Sequence, residues 1–412
     1  MLTIEEALAA IVANAGRQPV VRPPLESAAG MVLAETVVAR SDSPPFAKSM
    51  FDGFALRRSD VGSEGSTLPV AATILAGTAP GMKLAPGTAA RIMTGAPVPL
   101  GADVVVMLEH VKATAEQVEV PAAAVKKSNV LDQGTEFRAG DEVLAAGRVL
   151  NPAAVGLLAS LGEARPAVFS RPRLAVLATG DEIVPAEETP GPGRIRNSNG
   201  PTALALARAR GLVAESLGIV GDDREALKER IRAGLAADIL ILSGGVSAGD
   251  VDHVPGVLAE LGVEKVFHKV RFKPGQPLWF GKHASGLVFG LPGNPVSVLA
   301  CFELFVATAI RARSGLANPG PPLVRLPLSA AAEYPTDRPT FHPGLLIAGE
   351  HGLCVRLAPW FGSADLRGAA AADCLVELPA GPGVHPAGTT LRVLPLSQSD
   401  GASYVGAAED SG

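Results

Sequence analysis

LAVLATG (174–180) and DILILSGG (238–245) decide how this chain is read. Each is a continuous apolar run of strand length ending on glycine, the pattern of a strand buried on both faces. Between them, TALALARARG (202–211) and DREALKERIRAGL (223–235) carry helical spacing. LGVEKVFHKVRF (261–272), the run GLVFGLPG (286–293) and a long helix from Asn294 to about Arg313 follow. Strands alternating with helices in this way predict a mostly parallel sheet with helices on both faces.

Outward from this core the pattern changes. Residues 45–135 hold short Val-, Ala- and Thr-rich runs broken by Pro and Gly, such as PVAATILAGT and ADVVVMLEHV, and read as a small β domain. From 320 to 397, runs such as PLVRLPLSA and DCLVELPA read as a C-terminal β domain, a small barrel. The N-terminus opens a helix with the capping box Thr3-Ile4-Glu5-Glu6, and NPAAVGLLASLG (151–162) is a second helical stretch.

At 412 residues the chain exceeds the roughly 250–300 at which one core stops growing, so several domains are expected. A formal charge of −5 gives no global cationic field, which argues against a nucleic-acid partner. Cys301, Cys354 and Cys374 show neither metal nor disulfide spacing and suit a reducing setting. With no secretion signal and no apolar run near 20 residues, the expectation is a cytoplasmic protein with no membrane partner.

Ligands of open α/β sheets bind outside the carboxyl ends of the strands. Three polar clusters stand there: Thr179-Gly180-Asp181-Glu182; Ser243-Gly244-Gly245-Val246-Ser247, with Asp250 and Asp252 following; and Leu291-Pro292-Gly293-Asn294-Pro295-Val296-Ser297. In the last, Asn294 is placed to cap a helix whose first residue is Pro295, and such a helix start favours an anion. Each cluster taken alone is also compatible with an ordinary strand-to-helix turn. Lys269, Arg271 and Lys273 alternate along an expected strand and so should share one face, either as an anion site or as a solvated edge. Carboxylates at Glu182, Asp222, Asp223, Asp250, Asp252 and the early Asp52 suggest a bridging Mg²⁺, although Asp222 and Asp223 also stand where helix caps belong. The histidines lack zinc spacing, and His253 reads equally as a surface residue. Gly245-Val246-Ser247-Ala248-Gly249 satisfies a hydrolase nucleophile pattern, but the strand ending near Ser243 leaves Ser247 too far along for a sharp elbow.

Taken together, RIMTGAPVPLGADVVVMLEHV, LATGDEI, SGGVSAGDVDH, FKPGQPLWFG and LPGNPVS resemble the molybdopterin molybdenumtransferase family, MoeA in bacteria and the gephyrin E domain in animals. The resemblance covers nearly the whole chain. It implies an α/β multidomain fold: a discontinuous N-terminal helical and linker domain (1–44 and 136–172), a small inserted β-rich domain (45–135), a molybdopterin-binding α/β domain (173–316), a C-terminal β-barrel (317–397) and a tail (398–412). It implies a homodimer, transient contact with other cofactor-assembly enzymes, and a Mg²⁺-dependent transfer of molybdate into adenylyl-molybdopterin with release of AMP. By the same resemblance Asp52, Glu136, Glu182, Asp222, Asp252, Lys269 and Lys273 carry the chemistry, with Glu182 and Asp252 serving the metal. The resemblance also implies substrate binding by Thr94, Pro292, Pro295 and Ser363, and the three polar clusters add Thr179, Gly180, Ser243, Gly244, Gly245, Ser247, Gly293 and Asn294 as expected substrate-binding residues. The chain departs from the family pattern at Glu136 and Gln276 and in PWFGSADL (359–366), where the family carries a Gln-Gly-Ser loop. Two other functions stay open: a non-catalytic pterin-binding or scaffolding relative, and a serine hydrolase using Ser247.

Overall fold

A computed structural model describes residues 1–245, 253–349 and 352–396. The chain divides into two compact units, one built from Met1–Ala34, Gly147–Asn151 and everything from Arg165 on, the other from Glu35–Ala146 and Pro152–Ala164.

The first unit begins with helix α1 (Ile4–Asn14), and its capping box forms as the sequence predicts. Thr3 Oγ1 accepts from the Glu6 N–H at 3.1 Å, and the Glu6 carboxylate accepts from the Thr3 N–H at 2.8 Å. The central sheet holds β1 (Leu174–Thr179), β2 (Ala214–Val220), β3 (Ile239–Ser243), β4 (Glu264–His268), β5 (Trp279–His283) and β6 (Gly286–Leu291). Their order is β2-β1-β3-β6-β5-β4. The first four are parallel; β5 runs antiparallel to β6, and β4 antiparallel to β5. Two reversals point β4 the same way as the parallel strands.

Helices α2 (Asn199–Arg208), α3 (Arg224–Gly234) and α4 (Val254–Glu260) connect the strands. Successive strand residues face opposite sides of a sheet, so Val176, Ile241 and Phe289 enter one core with α2, while Ala175, Leu242 and Val288 enter the other with α3 and α4. Burial on both faces explains why the strands read as unbroken apolar runs. After β6 comes a helix from Pro295 to Arg313, made of α5 (Pro295–Cys301), a π-helical turn (Phe302–Val306) and α6 (Ala307–Arg313). It is long and apolar enough to cross a membrane by length and composition, yet 83% of its apolar window is buried inside the protein. Phe302 and Phe305 are fully buried there, and each such ring stabilises the fold by about 1.5–3 kcal/mol.

Towards the C-terminus this unit also holds an antiparallel sheet of β7 (Val324–Pro327), β8 (Thr340–Gly349), β9 (Gly352–Leu357), β10 (Cys374–Leu378) and β11 (Thr390–Pro395), in the order β7-β11-β10-β8-β9, with a short helix α7 (Leu366–Ala370). The sheet curls until Ser329, just past β7, donates its N–H to Val355 O in β9 at 2.9 Å. The second unit contains a six-stranded sheet drawn from Gly53–Leu56, Ser66–Ile74, Ala89–Ile92, Val104–Met107, Lys112–Ala113 and Gln117–Val120, together with the helix Pro152–Ser160. Phe54 and Val106 pack on one face of its sheet, Ala55 and Val105 on the other.

Candidate functional site

The three polar clusters leave adjacent strands at one level. Ala178 pairs with Ser243, and Ser243 with Leu291, so Thr179, Gly244 and Pro292 each step off β1, β3 and β6 at the carboxyl edge. Hydrogen bonds stitch the edge together: Thr179 Oγ1 lies 3.4 Å from Ser243 O, and the Gly244 N–H reaches Leu291 O at 3.2 Å. Gly244 has φ +92°, and a Cβ there would strike the Thr179 carbonyl. Close packing between neighbouring turns thus accounts for this glycine. Amides expected to cradle an anion are in part already committed, since the Gly180 N–H bonds Val220 O, the Gly244 N–H bonds Leu291 O, and the Val296 N–H bonds Ser363 O. Side chains therefore carry more of any recognition than the glycine-rich sequence suggests.

Among the described residues two buried polar atoms at this edge have no hydrogen-bond partner: Ser243 Oγ and Asn199 Oδ1. Asn199 begins α2 and donates through Nδ2 to Gly293 O at 2.7 Å, tying α2 to the third cluster. The sequence reading missed this residue; its signal was the Asn197-Ser198-Asn199-Gly200 run ahead of the helix. Beside α2 opens a cleft of about 560 Å³ lined by Val176, Ala178, Asn197, Gly200, Leu204 and Ile219.

Asn294 occupies the N-cap position and Pro295 the first helical turn, as expected, but the Asn294 side chain does not cap. Its Nδ2 donates instead to Ser363 Oγ at 2.8 Å, and Ser363 O takes the Val296 N–H at 3.0 Å. A loop from the C-terminal sheet thereby completes the helix start. Of the two acids that could cap α3, Asp223 does so through the Ala226 N–H at 2.8 Å, whereas the Asp222 N–H bonds Asp181 Oδ1.

The expectation that Lys269, Arg271 and Lys273 share one strand face holds only in part: Val270 and Phe272 between them are fully buried, but the segment is not a regular strand and the three cations do not line one cleft. β4 ends at His268, and Lys269 has φ +73°, a left-handed backbone that ends the regular strand. Arg271 lines a separate 260 Å³ cleft with Thr3, Glu5, Glu377 and Arg392. Lys269 still emerges at the carboxyl edge, because β4 runs with the parallel strands, two strand spacings or about 10 Å from β6. Lys273 is exposed and held by backbone bonds to the start of β8: its N–H bonds Pro339 O, and its O accepts from Phe341.

Lys273 Nζ lies 5.5 Å from the centroid of the Tyr334 ring. Tyr334, His342 and Trp360 form an aromatic cluster, with His342 edge-on to Trp360 at 4.9 Å. Burial, with the Lys273 charge adding to it, holds the His342 imidazole below its ordinary value of 6.5. The folded state then resists protonation, so this contribution to stability is complete above pH 6.5 and is lost as pH falls below it. Urea unfolding should give a lower stability at about pH 5.5 than at about pH 7.5, and His342→Gln should shrink that difference; an equal difference in the variant would show that His342 is not its source.

Within the second unit, Asp52 Oδ1 accepts from both the N–H and the hydroxyl of Thr94, each at 2.7 Å, and these two bonds hold its carboxyl below the usual range. Thr94→Val removes the hydroxyl bond and should raise the Asp52 titration midpoint, read by carboxyl NMR; no movement would disprove the pairing. Glu136 accepts from Ser43 Oγ at 2.6 Å. Glu182 is exposed, and a Cβ at Gly180 would meet its carboxylate, so this acid folds back over the end of β1. Ser247, Asp250 and Asp252 lie outside the described residues. Among the described residues no three His, Cys, Asp or Glu side chains form a metal cage, a finding compatible with Mg²⁺, which binds through one or two carboxylates plus phosphate oxygens and water.

Residues 2–162 match the MoeA N-terminal region (domain I and II), 175–312 a probable molybdopterin binding domain, and 325–396 the MoeA C-terminal region (domain IV). A molybdopterin molybdenumtransferase of Staphylococcus aureus is 34% identical over 409 residues, covering 97% of both chains. This chain belongs to the molybdopterin molybdenumtransferase family. Molybdopterin molybdenumtransferase 2 of Mycobacterium tuberculosis is 35% identical over 388 residues, covering 91% of this chain and 94% of its own length. The molybdopterin biosynthesis MoeA protein of Pyrococcus horikoshii shares the fold with a TM-score of 0.78 and 26% identity, over 96% of this chain and 100% of that one. The strand-end edge that joins Thr179, Ser243, Gly293 and Asn294 falls inside the segment matched to the molybdopterin-binding domain.

Proposed function

We propose that this molybdopterin molybdenumtransferase homologue acts in molybdenum cofactor biosynthesis by inserting molybdate into adenylyl-molybdopterin with release of AMP. The observation that carries the reading is the alignment of three polar clusters at the carboxyl ends of β1, β3 and β6, with two unpartnered buried polar atoms among them. Buried polar groups are normally paired, and the ends of parallel strands are where α/β sheets take ligands.

Lys269 and Lys273 bind the anionic substrates in this reading, and their charge stabilises what develops as the link between the two phosphates breaks. Ser243, with Thr179 and Gly245, receives the phosphate-bearing part, while Gly180 and Gly244, whose amides are bonded to neighbouring strands, shape the turns around it. Asn294, Pro295, Pro292, Gly293 and Ser363 close the far side, where Asn294 and Ser363 hold each other in place. Glu182 and Asp252 would hold Mg²⁺, which supplies neutralisation of the bridging phosphates. Asp222 orders the turn after β2 through its bond to Asp181. Asp52, kept charged by Thr94, and Glu136 are proposed as further carboxylates of the reaction. A homodimer and a cytoplasmic setting belong to the same reading.

The test is addition of molybdate to the protein loaded with adenylyl-molybdopterin. Stoichiometric release of AMP is expected. Binding of the adenylate without AMP release would favour a pterin-binding scaffold.

A further inference from the structure

Phe361 is the most exposed large apolar side chain among the described residues, at 96%. The loop that carries it is nevertheless pinned at both ends. The Phe361 N–H donates to Asp365 Oδ2 at 3.0 Å, and the other oxygen of that carboxylate accepts from the Gly368 N–H at 3.1 Å. Two residues beyond Phe361, Ser363 receives both the Asn294 side chain and the Val296 amide at the start of α5. One residue before it, Trp360 packs against His342 and stacks on Tyr334, the ring that Lys273 Nζ approaches. A fully solvated phenyl ring is thus carried on a short loop whose backbone is hydrogen-bonded on both sides of it.

A phenylalanine side chain has only two rotatable bonds, and the backbone beneath this one is already ordered, so covering the ring costs little further freedom. A flat π-face is the natural complement to such a ring. We infer that Phe361 is a stacking platform for the planar nitrogen heterocycle of the substrate, pterin or adenine, whose phosphates sit at the strand ends. This rests on the function proposed above and adds a residue that sets affinity for the ring. Phe361 reaches no reacting phosphate in this assignment; it binds and orients.

The full-length protein, Phe361→Ala and Phe361→Trp are each titrated with AMP and, separately, with molybdopterin. Phe361→Ala should weaken at least one of the two ligands by about 5- to 100-fold, with an unchanged melting temperature, and the ligand that loses affinity identifies the ring. Phe361→Trp should keep wild-type affinity and show its indole fluorescence quenched by that same ligand. Unchanged affinity of Phe361→Ala for both ligands overturns the inference alone, and so does a variant that alters only the sedimentation of the protein, which would assign the ring to contact with a second copy. A wild-type protein that binds neither ligand overturns the inference and the proposed function together.

Discussion

Glu303→Gln should lower the folding free energy by about 3–5 kcal/mol, the range expected when one partner of a buried ion pair is removed. Glu303 is 3% exposed and ion-paired with Arg210, whose guanidinium also lies over the Phe302 ring at 5.3 Å. Arg311 is close by: burial pulls its guanidinium down to about 10, Arg210 pushes it the same way, and Glu303 opposes both. Glutamine keeps the shape and the hydrogen-bonding atoms but leaves two largely buried cations facing one another without their counter-charge. The pair also fastens the end of α2 to the π-helical turn, and the other end of α2 carries Asn199 at the site. Urea denaturation measures the cost directly. A loss below about 1 kcal/mol would show that the pair behaves like an exposed one.

Lys273→Ala should reduce kcat/KM for AMP release by about 100-fold, in line with the loss of one preorganised charged group from a reacting phosphate site. Because the side chain is exposed and approaches the Tyr334 ring only at 5.5 Å from its centroid, the melting temperature should hardly move. The same substitution removes one of the two causes that lower the His342 titration, so the His342 midpoint should rise in an NMR titration. A fall in activity without that rise would mean the lysine acts away from the aromatic cluster. Unchanged activity would remove Lys273 from the site.

The sheet was legible because each parallel strand is buried on both faces and ends on a small turn. Nothing local interrupts LAVLAT or ILILS. The strand Trp279–His283 was missed: it forms a hairpin with β6, and its antiparallel direction leaves no helix in the sequence to separate the two. The strand was expected to run on through the lysines and does not, because a left-handed backbone at Lys269 is a conformation that lysine itself does not signal. Asn294 reads as a side-chain cap from its neighbours alone, and the partner that takes its amide, Ser363, is 69 residues away. Ser363 itself was found by resemblance, whereas Tyr334, His342, Trp360 and Phe361 gave no local pattern. They come together through β-sheet pairing and loop packing, which spacing along the chain does not record.

In the proposed function the substrate phosphates rest at the carboxyl ends of β1, β3 and β6, within reach of Lys273. A crystal structure of the protein with adenylyl-molybdopterin tests it most directly. A phosphate oxygen is expected within hydrogen-bond distance of Lys273 Nζ and another beside Ser243 or Gly245. Density for the ligand elsewhere on the protein, with these groups untouched, would contradict it.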